Sequence, residues 1–502
     1  MQKTTIGLVR KIDDTASDND NAAQYEPTEI RNYPSGTLAT IYSDNGITQM
    51  SNPITSSVNG MVRFYAANGR YSVTFPSGLP SEIDSILLND PDDDIYVSDY
   101  NALSNPILDI LNKNNLQKVI SGNLSNARSG VATYHDIYGI LRDSQANGFR
   151  QEKQGFLIEG SGTNLTLHSD DFTKTEWTKQ DLTITSSTVE GPDRLSLAST
   201  IDDQDSANTG FLNQSSAGIT DDSENKTASI YCKAGTSSNF QIELRLSGGT
   251  SVTKNLYIKS SNMSVSGGIN DGFKIEKLHD GWCRISIKAK NNSTGNTTAR
   301  ILIRPATLTS SLDGSLTGSV NIYRAQVEDY QFTTSSIKTT ATPVTRVADN
   351  ITAPTLNNYT SYEQGDHTTF LKFKALGFNG SSQGIYGART QTGSSARNYL
   401  VLNSNDQLLF RDNSNASASS DAVSEDVEHD VFLIVENAGQ SINLDGVKYP
   451  VVDTDMSFNL DLDTPFAVGS LSNGSIPFYG HIINFKKWEL ALSQAQINFI
   501  RS

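Results

Sequence analysis

Residues Lys226–Gly249 read KTASIYCKAGTSSNFQIELRLSGG. Apolar side chains fall on every second position, first through Ile230 and Cys232 and again through Phe240, Ile242 and Leu244. Ser, Gly and Asn fill the gap between the two runs, as a turn between half-buried strands requires. The pattern continues downstream in WCRISIKAK (282–290), ARILIRPATL (299–308) and SVNIYRAQV (319–327). Many short antiparallel strands with polar turns predict an all-β, multidomain chain whose centre is a jelly-roll sandwich. Cys232 and Cys283 both lie on the apolar phase of their strands. They are expected as neighbours in one core, reduced rather than bridged.

Composition agrees. Of 502 residues, 36% are hydrophobic and only 19% charged, so the remainder is rich in turn-forming Ser, Thr, Asn and Gly. The length suits several domains. A formal net charge of −16 would repel a phosphate backbone, so no nucleic-acid partner is expected. The first residues, MQKTTIGLVRKIDD, lack a signal-peptide apolar run, and no 18-residue apolar stretch occurs. The expectation is synthesis in a cytoplasm, without membrane insertion.

Upstream, residues 1–33 read as a polar arm that orders against a partner, followed by a β-module over 34–97. Within GMVRFYAANGRYSVTF (60–75), Asn68-Gly69 suits a two-residue hairpin turn that pairs Ala66 with Tyr71, Phe64 with Val73 and Val62 with Phe75. A second hairpin is expected around Asn45-Gly46. In NPILDILNKNNLQKVI (105–120), Asn105 and Pro106 make an N-cap and first helical position, so residues 98–128 are expected as a linker with a short helix. Its stripe, Leu103, Ile107, Ile110 and Leu111, would suit a threefold bundle or a plain linker helix.

Downstream, HTTFLKFKALGF (367–378), HDVFLIVENAGQSINLDGVKY (429–449) and TPFAVGSLSNGSIPFYGHIINFKKWELAL (464–492) form a further set of strands, giving a second sandwich over 350–502. Ser493 and Gln496 form a capping box, with Leu492 and Ile497 as its staple, so the chain is expected to end in a helix.

Three resemblances follow from these residues. Tyr42-Ser43-Asp44-Asn45-Gly46, Asn52-Pro53-Ile54 and Gly69-Arg70-Tyr71 resemble a small β-module near the N-termini of bacteriophage tail fibres, where it lies at the virion-attachment end. Gly139-Ile140-Leu141-Arg142, Gly155-Phe156-Leu157-Ile158-Glu159, Ser169-Asp170-Asp171-Phe172 and Thr342-Pro343-Val344-Thr345-Arg346 resemble a carbohydrate-binding-like sandwich of phage structural proteins, assigned to 129–349. Tyr323-Arg324 stands where that family usually has Trp-Gly. Phe478 to Trp488 resembles the last strand of laminin-G or concanavalin-like sandwiches. Together they imply a homotrimeric tail fibre or receptor-binding protein on the virion. It would join other virion proteins through its N-terminal module and bind a host cell-surface glycan through its sandwiches. A structural head fibre or decoration protein, and a glycan-depolymerising tailspike, remain as alternatives.

No catalytic residues are expected. Gly380-Ser381-Ser382-Gln383-Gly384 matches a nucleophile elbow in spelling, but QGIYGART after it reads as strand where an elbow needs a helix. The six histidines are scattered without metal-ligand spacing. The clusters Asp202/Asp203/Asp205 and Asp221/Asp222 offer oxygens to calcium, yet lack EF-hand spacing, so no cofactor is expected. Glycan contacts are placed on the polar loops Thr390–Arg397 and Asp412–Ser420 of the last sandwich, with Arg389, Arg397 and Asp412 bonding hydroxyls and Tyr386 or Tyr399 stacking, although both tyrosines read better as core. Trp177 and Trp282 could stack sugars but read better as core.

Overall fold

The computed structural model describes residues 2–7, 27–32, 35–43, 48–55, 61–67, 69–74, 82–88, 108–112, 125–269, 271–355, 366–389, 397–411, 417–436, 439–450, 465–470, 474, 476–488 and 490–501. They divide into two compact units, Met1–Leu103 and Ser104–Ser502.

The first unit holds two four-stranded sheets around one core. The first sheet runs in the order Gln2–Gly7, Met61–Ala66, Ile41–Tyr42, Gln49–Met50, and the second Ile54–Thr55, Pro27–Asn32, Gly69–Thr74, Glu82–Leu88. The expected hairpin about residue 45 forms, with Ile41 opposite Met50 and Tyr42 opposite Gln49, although residues 44–47 lie outside the described residues. Two expectations are corrected. Within the expected arm, Gln2–Gly7 and Pro27–Asn32 are strands of the module, pairing with Met61–Ala66 and Gly69–Thr74, while residues 8–26 lie outside the described residues. Nor do the strands flanking residue 68 pair with each other; they belong to different sheets. Val62, Phe64, Ala66, Tyr71 and Val73 are all buried, as the alternation requires, in the core shared by both sheets. Alternation fixes which face turns inward and leaves the partner open.

In the second unit, residues 178–328 make a sandwich of two six-stranded antiparallel sheets. Its centre is the hairpin-rich stretch quoted first: Asn225–Ala234 pairs with Cys283–Lys290 and with Gly318–Glu328, and Asn239–Ser247 with Val252–Lys259 and Thr298–Arg304. Cys232 sits opposite Cys283, both buried and unbridged. Trp177 packs in this core at 4.9 Å from Phe172. Trp282 is buried in a smaller cluster with Tyr231 and Tyr323.

The other sandwich is discontinuous, which corrects the boundaries at 129 and 350. Ser125–Asn126 pairs with Ile351–Thr355 in its seven-stranded sheet. Gly155–Ile158 pairs with Gly480–Trp488 in its eight-stranded sheet. Phe156 and Ile158 share a core with Leu371, Phe373, Leu433 and Phe485. The 178–328 sandwich is therefore an insertion into it, and the two crossing strands, Gly162–Asn164 and Val344–Arg346, pair antiparallel. The expected linker helix is also corrected: Leu108–Asn112 is a strand on Gly480–Trp488. Asn and Asp lower helix propensity there, and a sheet strand offers the backbone partners that a short helix would supply itself. The terminal helix forms as expected over Gln494–Arg501, with Gln496 Oε1 accepting from Ser493 N at 2.8 Å.

Candidate functional site: a cleft between the sandwiches

Of the residues assigned to glycan, Tyr386 is fully buried in the enclosing core, 5.6 Å from the Phe485 ring, which corrects its placement on a binding loop. It follows the inward phase of its strand. Arg389 and Arg397 are opposite each other at the open end of a strand pair, Gln383–Arg389 with Arg397–Leu402, and Tyr399 is half-buried. Asp412 and residues 390–396 lie outside the described residues. Gly380–Gly384 runs into the strand Gln383–Arg389, as its spelling in context suggested. Asp203 accepts from the backbone of Asp205 and Gly210, and Asp222 pairs with Lys226 at 2.8 Å.

The crossing between the sandwiches is fastened by buried charge. Arg128 donates to Asp349 at 2.8 Å, and Arg150 pairs with both Glu159 and Asp349. Arg346 lies 3.4 Å from Glu159 and donates to Gly160 O at 2.6 Å. Burial pushes the Glu159 carboxyl up, but Arg346 and Arg150 outweigh it and hold it down at about 2. Tyr330, Phe332 and Tyr479 add a ring cluster, with Phe332 4.7 Å from Tyr479.

Beside this crossing lies a cleft of about 470 Å³. The Ala132–His135 hairpin strand forms part of its wall. Thr133 Oγ1 donates to Ser336 O at 2.7 Å, and His135 N donates to Glu152 Oε1 at 2.8 Å. His481 Nε2 donates to the other Glu152 oxygen at 2.8 Å, joining the hairpin to the enclosing sheet. From the inserted sandwich, Glu276 Oε1 stands 3.2 Å from His135 Nδ1, and Tyr231 Oη 3.0 Å from His135 Nε2. Burial opposes charge on His135, yet Tyr231 and Glu276 overcome it and raise its pKa to about 10. Burial raises Glu276, but His135 and then Arg284 outweigh it, to about 2. Arg284 lies 5.5 Å over the Tyr231 ring and donates to Thr334 O at 2.7 Å.

At the rim, Asp426 accepts from Lys374 at 2.7 Å and from Lys274 at 3.1 Å, so one carboxylate ties the two sandwiches. Three cleft-lining side chains carry a buried polar atom with no protein partner: Thr227 Oγ1, Arg284 Nε and His481 Nδ1. Buried polar groups are normally satisfied, so these three atoms offer hydrogen bonds to a ligand or solvent in the cleft. Half-buried Tyr134 and Phe273 line the same cleft. Rings, carboxylates, a guanidinium and imidazoles in one cleft provide both apolar contact and paired hydrogen bonds. Sequence reasoning missed this site because His135, Tyr231 and Glu276 lie 96 and 141 residues apart.

No protein-family model matches the chain, and no curated protein matches it. Among solved structures it is similar to domain 4 of AbnA, a GH43 extracellular arabinanase from Geobacillus stearothermophilus, in complex with arabinotriose: 13% identity over 31% of this chain and 73% of that one, TM-score 0.26. It is similar to the CBM40 of Ruminococcus gnavus IT-sialidase bound to α2,3 sialyllactose, at 16% identity, 28% and 85% coverage and TM-score 0.24. Domains LG4-5 of the mouse laminin α1 chain match at 12% identity, 58% and 89% coverage and TM-score 0.20.

Proposed function

We propose that this chain is a receptor-binding protein of a bacteriophage tail fibre, and that the inter-sandwich cleft takes a host cell-surface glycan. The cleft carries the reading: it gathers rings, acids, bases and unsatisfied polar atoms from both sandwiches and the hairpin. Sugars need that combination, an apolar face beside directional hydrogen bonds. The N-terminal resemblance and the separate Met1–Leu103 unit support attachment of that unit to other virion proteins. The fibre resemblance further implies a homotrimer, whose repeated weak sites add avidity.

Binding rather than cleavage is favoured. Glu276, held at about 2, is ionised at neutral pH and so holds no proton for a leaving group. Glu152 is committed to His135 N and to His481. No catalytic role is assigned, and a transition-metal or calcium cofactor is not invoked.

The test is competition. The purified full chain should block phage adsorption to its host, and Arg284→Met should lose most of that block while remaining folded. A chain lacking residues 1–103 should still block adsorption but fail to enter virions. Unimpaired competition by Arg284→Met would remove the cleft from recognition.

A further inference from the structure

At the turn that follows Ala132–His135, three turns meet at an exposed tip. Asp136 shapes the first, its Oδ1 accepting from Tyr138 N at 2.9 Å and Ile140 N at 3.0 Å. Asp193 shapes the second, accepting from Leu195 N and Ser196 N at 3.0 Å while Tyr323 Oη donates to it at 2.8 Å. The third, His279–Gly281, stands on buried Trp282, whose Nε1 donates to Glu190 O at 3.0 Å. His279 Nε2 donates to Pro192 O at 2.7 Å, tying the third turn to the second. Gly139, at φ +76°, lets the first turn approach the third; a Cβ there would lie 3.3 Å from His279 N.

This well-fastened base presents an apolar crown. Tyr138 is 73% exposed and Leu195 85%, with Ile137 and Leu197 also exposed. On the neighbouring turns Arg194 and Asp280 both adopt left-handed backbone, at φ 56° and 51°; Arg194 donates to Asp280 at 2.7 Å and to His279 Nδ1 at 3.3 Å. Non-glycine residues in that region are uncommon, and here two occur in contact.

We infer that this tip is a second carbohydrate-contact surface, taking a neutral pyranose stacked on Tyr138 with its hydroxyls bonded by Arg194 and Asp280. The charges of Arg194 and Asp280 cancel, which favours an uncharged ligand over an anionic one. Both groups present several donors or acceptors in a plane, matching vicinal hydroxyls. The exposed Tyr138 ring, on the turn that Gly139 brings against His279, supplies the apolar face that a pyranose needs. Three short turns are too small for a stable protein partner, which orders about 20–30 residues a side. The inference rests on the reading of the chain as a glycan binder, but not on the cleft.

Neutral hexasaccharides of glucose, galactose and mannose are the probes, titrated into the full chain and followed by saturation-transfer NMR. At least one should bind. Tyr138→Ala should weaken it about tenfold, the loss of one stacking contact, whereas Tyr138→Phe should retain it. Arg194→Ala should also weaken it. The inference is overturned if no neutral probe binds, if binding ignores Tyr138→Ala, or if Tyr138→Ala instead abolishes self-association seen by sedimentation. Adsorption that depends on Arg284 but is indifferent to Tyr138, with no neutral probe bound, removes the tip and leaves the proposed function standing. Probe binding that depends on Tyr138, with adsorption indifferent to Arg284, removes the cleft and leaves the tip.

Discussion

The inserted sandwich and the sandwich enclosing it use the same antiparallel alternation, but they differ in how the chain supplies them. Residues 178–328 contain every strand of the first. The second draws Leu108–Asn112, Ser125–Asn126 and Gln151–Ile158 from before the insertion, and the rest from after Ile351. Continuity in sequence thus marks a unit that can be recognised locally. The discontinuous sandwich depends on contacts spanning the insertion, and there the buried charges of the crossing gather. The cleft follows from the same arrangement, since an insertion necessarily leaves two sandwiches side by side at the point of departure.

That difference can be broken most directly at Arg150. Its side chain is fully buried between Glu159 and Asp349, so Arg150→Ala takes one buried cation from both carboxylates and leaves Glu159 to Arg346 and Asp349 to Arg128. A loss of about 4 kcal/mol in denaturant unfolding of the full chain is expected. Ile158→Ala comes next. Ile158 precedes the insertion yet packs in the enclosing core, so its truncation should cost about 3 kcal/mol in the enclosing sandwich's transition. If that transition does not move, the enclosing sandwich does not need the earlier strands.

A smaller effect is expected from pH. His135 rises from 6.5 to about 10 on folding, so its contribution is complete below about 6.5 and is lost as pH climbs towards 10. Glu276 falls from 4.5 to about 2, so its contribution is present above about 4.5 and fades as pH drops towards 2. The pair therefore supports the fold best between about 4.5 and 6.5. His135→Gln should flatten the alkaline decline in melting temperature; an unchanged slope would assign it to other groups. The smallest effect belongs to Lys274→Ala, which removes a half-exposed bridge to Asp426 and should cost under about 1 kcal/mol by chemical denaturation.

Much of the fold was legible where neighbours in sequence are neighbours in space. Ile230, Cys232, Ile285 and Ile287 announced their strands, and Ser493 with Gln496 announced the final helix. Val62 to Val73 revealed their inward face but not their sheets, because alternation does not name a partner. Asn105-Pro106 carried a helix-start signal that tertiary pairing overrode at Leu108–Asn112. The insertion left no local mark at all: Phe156-Leu157-Ile158 reads equally well as the first strand of either sandwich. For the site, Tyr386 was misplaced because an aromatic near a polar loop looks the same whether its strand turns it in or out. His135, Glu152, Glu276 and His481 belong to four separate segments, and only the folded chain brings them together.

Hydrogen–deuterium exchange on the full chain, with and without saturating host surface polysaccharide, shows whether the cleft is where glycan binds. Slowed exchange is expected in segments 132–135, 272–276 and 332–336, which border the cleft from the hairpin, the inserted sandwich and the crossing. Protection confined to the outer strands between Gln383 and Ala422, with those three segments unchanged, would contradict it and return recognition to the end of the enclosing sandwich.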